Sequence, residues 1–153
     1  MNAAIIALAL ASQVVTAAEQ PKALTTYVVH IVVREKLANG RGKILSEPNV
    51  VVIAGREGTF HIGEKIHLSG MDVPNGTMIK LKVDPAEKGE VKLTADILVT
   101  LASVHDNGII DHESTAFSIA KTLPCGKDNK IRIVKTEKID RWVELRIEEF
   151  KPG

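Results

Sequence analysis

G-K-I-L-S-E-P-N-V-V-V-I-A-G-R-E-G-T-F-H-I-G-E-K-I-H-L, residues 42–68, is the stretch whose reading decides the fold. The β-branched run 50–53 follows Pro48 and stops at Gly55-Arg56-Glu57-Gly58, which reads as strand, tight turn, strand. The second strand, residues 59–62, ends at Gly63. Residues 64–68 then alternate polar with apolar side chains, so a bend leads into a third short strand. This pairing predicts that Val51, Ile53, Phe60 and Ile62 pack together across the turn. A fully buried Phe60 would cost about 3–5 kcal/mol on truncation to alanine.

Outward from this stretch, 153 residues suit one domain with a core of its own, expected over residues 25–150. Residues 1–18 carry no charge, hold the apolar run 3–10, and end in Ala17-Ala18 before Glu19-Gln20-Pro21. That pattern predicts a helical signal peptide, removed after Ala17 or Ala18, and an exported mature chain placed in the periplasm or at the outer membrane. The 20 basic and 19 acidic residues nearly cancel, which argues against a nucleic-acid partner or electrostatic membrane docking. Cys125 is the single cysteine, so an intramolecular disulfide is excluded. Aromatics are 3% of residues, too few for the girdles of a free-standing membrane barrel.

Residues 25–34 form a dense β-branched run that reads as a central strand. Residues 69–76 read as a loop or hairpin turn, with Asn75-Gly76 as its turn dipeptide; this accounts for the Asn75-Gly76-Thr77 sequon without a glycan. Residues 77–83 alternate as a half-exposed strand with a lysine face, and 91–104 as a long strand in which neither face is cleanly apolar, consistent with a bulge. Asp106-Asn107-Gly108 is the strongest hairpin signal, folding 91–104 back on 109–123. After a turn at 124–129, strands follow at 130–135 and 141–150, the last with Trp142, Glu144, Arg146 and Glu148 on one face. The fold class is all-β, a mixed or antiparallel sheet or β-sandwich of long hairpins behind the signal helix.

The motif Ile44-Leu45-Ser46-Glu47-Pro48, the Gly55 to Gly58 turn, and the strand carrying Phe60, Ile62, Gly63 and Ile66 resemble the start of the C-terminal secretin domain of bacterial type II and type III secretion systems. Gly76-Thr77, leading into Ile79, Leu81 and Val83, and the turn at Gly126 extend the resemblance over residues 43–133. It implies an exported, non-enzymatic β domain that works through self-association or a protein partner in the cell envelope, linked to protein secretion. Only seven residues separate Leu68 from Gly76. The long gate insertion and the N-terminal ring domains of the family are therefore not expected, nor is an autonomous pore.

Residues that carry chemistry are sparse. His105, Asp106, Asp111, His112 and Glu113 surround the 106–108 turn, and the alternative reading is an exported soluble β-sandwich that binds a ligand or a metal there. A solvated hairpin tip accounts for the same residues. His61 and His67 lie on either side of Gly63. The serines lack a nucleophile-elbow context, and Cys125 has no histidine near it in sequence. No catalytic residue, metal ligand or cofactor is assigned.

Overall fold

The computed structural model describes residues 24–68 and 70–153; the expected signal segment 1–18 lies outside them. The described elements are β1 (Thr26–Lys36), β2 (Gly42–Ser46), β3 (Asn49–Ile53), β4 (Glu57–Leu68), β5 (Met71–Pro85), β6 (Glu90–Val104), β7 (Ile110–Pro124), β8 (Asp128–Lys135) and β9 (Asp140–Glu149). All pair antiparallel, in two sheets. Sheet A has the order β2-β1-β9-β8, with β3 also on β1; sheet B is the meander β4-β5-β6-β7. The all-β sandwich of long hairpins is thus the observed class.

Period-two alternation builds the core. Sheet A turns Val29, Ile31, Val33, Val143, Leu145 and Ile147 inward, and sheet B answers with Ile79, Leu81, Val83, Leu93, Ile97 and Val99. All of them belong to one buried cluster. β1 lies centrally, flanked by β9 on one side and by β2 and β3 in succession on the other. This agrees with the reading of residues 25–34. The long β6–β7 hairpin also forms as its turn chemistry indicates, with His105 N–H donating to the Ile109 carbonyl at 2.9 Å.

Three local expectations are corrected. β3 and β4 do not form a hairpin: β3 pairs with β1 and β4 with β5, so the Gly55 to Gly58 segment carries the chain from one sheet to the other. The inward residues of β3 are Val50 and Val52, whereas Val51 is 57% exposed and Ile62 40% exposed. Phe60 is partly buried against the core edge, so its truncation should cost less than a fully buried ring. The second correction concerns residues 69–76. Strand β5 begins at Met71, which faces Leu68, so the reversal is a tight one and Asn75 is a strand residue, not part of a turn. Third, β6 pairs with both neighbours without a register shift, so it carries no bulge; the face of Val91, Leu93, Ala95, Ile97 and Val99 is buried, and it turns polar only at Ser103.

Gly63 and Gly76 face each other across β4 and β5, with φ of 144° and 141°. A Cβ on Gly76 would stand 2.3 Å from the Ile62 carbonyl oxygen, and one on Gly63 2.3 Å from that of Asn75. The expected bend is therefore a cross-strand glycine pair inside a continuous ribbon. Gly76→Ala should lower the free energy of unfolding by about 2–4 kcal/mol, since it adds backbone overlap to an unfavourable φ. Gly89→Ala, at positive φ but with open space around it, should cost only about 1–2 kcal/mol. Urea titration of both variants checks the difference.

Candidate functional site

The residues that carry the secretin resemblance have connecting roles. Leu45 packs against the core, and the Pro48 carbonyl accepts the Ile31 N–H at 3.0 Å. Gly55, at φ 75°, donates its N–H to the Val83 carbonyl at 2.9 Å, fixing the crossing between sheets. Gly58 lies beneath Phe60: a Cβ there would be 2.7 Å from the ring. Gly126, at φ 76°, donates to the Ile147 carbonyl at 2.7 Å. Ile44 faces outward from β2, 45% exposed. The side chain of Ile66 lies outside the described residues.

Six of these residues converge. Leu45, Ser46 and Pro48 on one wall and Gly63, Gly76 and Thr77 on the other line a cleft of about 310 Å³ where the two sheets part. The Ser46 hydroxyl hydrogen-bonds the hydroxyl of Thr77, which is buried. Nearby, the Asn75 side-chain oxygen accepts the Ala102 N–H at 3.2 Å. The two hydroxyls of the cleft thus bind each other, and Ser46 has a threonine, not a base, as its partner.

A second polar contact closes the other side of the same rim. Arg141, on β9, is 6% exposed; its guanidinium donates to Glu35 of β1 at 3.3 Å and, across the sheets, to Glu113 and Thr115 of β7. Thr77, Val99 and Thr115 form one row across sheet B, so a threonine at each end meets a polar group of sheet A. Sequence reasoning missed Arg141. The signal was present: Val143, Leu145 and Ile147 point inward from β9, and parity puts Arg141 on their face.

The candidate cluster at residues 105–113 does not come together. His105 Nε2 and Asp111 Oδ2 pair at 2.5 Å, Glu113 is engaged by Arg141, and strand alternation sends Asp111 and His112 to opposite faces. Among the described residues, no group of three His, Cys, Asp or Glu side chains suits a metal ion. Farther along β4, His67 pairs with Asp72, while Cys125 is partly buried and directs its thiol to the Ile147 carbonyl at 3.3 Å.

The outer face of sheet A is a charged lattice around Trp142. The indole N–H donates to Glu144 at 3.0 Å, Arg34 binds the other carboxylate oxygen at 3.0 Å, and Lys130 Nζ lies 4.4 Å from the ring centroid. The Trp142 hydrogen bond, helped by the charges of Arg34 and Lys130 and opposed by partial burial, holds the Glu144 carboxyl below its ordinary value. Arg146 likewise lowers Glu148 through a hydrogen bond and its charge.

No family model and no curated protein matches the chain. Among solved structures it is similar to the type II secretin GspD of enteropathogenic Escherichia coli, at 11% identity over 84% of this chain and 66% of that one, with a TM-score of 0.50. It is also similar to InvG, the type III injectisome secretin of Salmonella SPI-1, at 12% identity over 85% of this chain and 64% of that one, with a TM-score of 0.49. The chain spans just under two thirds of the length of each. The all-β sandwich has the fold of a secretin domain.

Two predictions test this geometry. Arg141→Ala strands Glu35 and Glu113 and should cost about 2–4 kcal/mol, against about 1 kcal/mol for Thr115→Val, as read by urea denaturation. A loss below about 0.5 kcal/mol for Arg141→Ala would show that the contact adds nothing. Because the folded value of Glu144 is depressed, its stabilising contribution is present above the ordinary carboxylate range and is lost as pH falls through that lowered value. Trp142 is the sole tryptophan, so its emission should change in that acid window, and Glu144→Gln should remove the step.

Proposed function

We propose that this chain is an exported, non-enzymatic secretin-like β domain that acts through protein contacts in the cell envelope, in a role linked to protein secretion. The observation that carries this reading is that, among the described residues, both ends of sheet B are strands paired on one side only, β4 over 12 residues and β7 over 15. A strand edge of that length offers a row of backbone donors and acceptors to another chain. The meander also makes β4 and β7 antiparallel to each other, so β7 of one copy set beside β4 of the next would continue the sheet in the same sense. The fold likeness to a secretin domain supports the same reading.

The role of the motif residues fits contact work better than chemistry, because Ser46 and Thr77 join one sheet to the other and Gly55 and Gly126 shape crossings between them. An independent pore is not part of the proposal. The outer face of sheet B sets Lys80, Lys82, Lys92 and Asp96 among Met78 and Leu98, so it has no continuous apolar band for lipid. The signal segment supplies the route of export.

Light scattering coupled to size-exclusion chromatography on the mature protein is the test. Self-association above the monomer mass, with slowed amide exchange along β4 and β7, is the expected result. A monomer at every concentration, with those edges unprotected both alone and in an envelope extract, would overturn the proposal. Recovery of the protein from the cytoplasm with residues 1–18 intact would overturn the export.

A further inference from the structure

The edge of sheet A formed by β3 differs from the other described edges. Its sequence, Asn49-Val50-Val51-Val52-Ile53, contains no charge. By contrast β8 carries Asp128, Lys130, Arg132 and Lys135 and shifts register between Arg132 and Val134, features that discourage edge pairing. β2 carries Lys43, β4 carries Glu57, and β7 carries Asp111, Glu113 and Lys121. An uncharged, β-branched edge without proline is the kind that natural sheets cover or use.

Hydrogen bonding fixes which groups of β3 are free. The Ala54 N–H donates to the Thr25 carbonyl and the Ile31 N–H to the Pro48 carbonyl, on the same register that pairs Val52 with Tyr27 and Val50 with Val29. By antiparallel alternation, Pro48, Val50, Val52 and Ala54 spend their backbone groups on β1, and Asn49, Val51 and Ile53 direct theirs away from it. The Ile53 carbonyl accepts the Arg56 N–H at 3.0 Å; the remaining groups face the open side. The side chain of Asn49 is held by His30 at 2.7 Å, and Val51 is 57% exposed.

We propose that β3 is a self-pairing edge, which joins β3 of a second copy antiparallel about a two-fold axis through Val51. On that register Val51 exchanges both backbone hydrogen bonds with its symmetry mate, and Asn49 faces Ile53 of the second copy. The outward groups of Val51, the Asn49 carbonyl and the Ile53 N–H then have partners of the right kind, and the Asn49 N–H meets the Ile53 carbonyl that also accepts Arg56. Charge is complementary at the ends: Glu47 precedes β3 and Arg56 follows it, so the two-fold brings unlike charges to each end. The side chains that flank the edge also favour a covered state. Val51, Ile53, Gly58 and Phe60, with Arg56 and Glu57 at its margin, line a notch of about 210 Å³ beside it. This contact is isologous and closes at two copies, unlike the contact of β7 with β4, which repeats head to tail. It therefore stands or falls apart from the function proposed above.

The two-fold supplies its own test. Val51 faces itself across the axis, so Val51→Lys and Val51→Glu each place like charges directly opposite one another, at an exposed position that the monomer fold tolerates. Sedimentation equilibrium on the mature protein should show each variant dimerising at least about tenfold more weakly than the parent, and an equimolar mixture of the two should recover the association. Amide exchange on the parent should slow at Asn49 and Val51 as its concentration rises. If those amides exchange freely at every concentration, or if the two variants associate like the parent and the mixture gains nothing, the pairing is wrong. Protection confined to β4 and β7 would overturn it while leaving the sheet-B contact in place.

Discussion

The chain crosses from sheet A to sheet B between Ile53 and Glu57, and the arrangement of the strands depends on that step. Gly55 adopts a positive φ and hands its N–H to Val83 of the opposite sheet, so the crossing is fixed to the far layer by a main-chain hydrogen bond. Once it is made, β3 can only complete the edge of β1, and β4 can only open the meander of sheet B. Gly58 keeps the start of β4 close to Val52 by leaving room for the Phe60 ring above it. The two layers are therefore joined at one end by covalent chain and backbone bonding, with apolar side chains filling the space between.

At the other end polar side chains do the joining. Thr77 and Thr115 occupy one row of sheet B, and Ser46 and Arg141 descend on them from sheet A. Inside this row most facing residues are aliphatic and buried, with the rings of Tyr27 and Phe117 among them; beyond it lie the glycine pair, Asn75, Leu101 and Glu113, and the layers part. A hydroxyl pair is a cheap way to end a core, since each group satisfies the other. A buried guanidinium is a more demanding one, because its desolvation must be offset by carboxylates from both sheets. Its Nε and the neighbouring Asp140 Oδ1 are buried without a hydrogen-bond partner among the described residues.

How legible these features were in the sequence follows from the range over which each is decided. The β6–β7 hairpin was readable because Asp106-Asn107-Gly108 and the alternation beside it are local. The crossing at Gly55 was not, since the same glycine-rich turn serves a hairpin or a change of sheet, and the choice belongs to β1, which claims β3 as its neighbour. In β3 four successive apolar residues conceal which parity is buried. Asn75-Gly76 misleads for a related reason: its glycine is required by the backbone of Gly63 on the facing strand, a contact thirteen positions away. The glycines, Ser46 and Thr77 were recognisable through family resemblance. Their physical roles became clear only when both sheets were in place.

Edge character links this architecture to its use. Among the described residues the two layers leave strands open at each margin, and a chain of this size with one cysteine has no disulfide to restrain them. On β8 the device is charge and a register shift; on β7 it is charge near the hairpin tip, with Glu113 drawn inward by Arg141. β3 has neither, because all but one of its residues are aliphatic and its outward groups lie between Pro48 and the crossing at Gly55. Replacing Val51 by a charged residue would have protected it without touching the core, since that side chain points to solvent. Retaining valine at the centre of an exposed edge is a physical liability in an isolated monomer, and it ceases to be one when another strand lies against it.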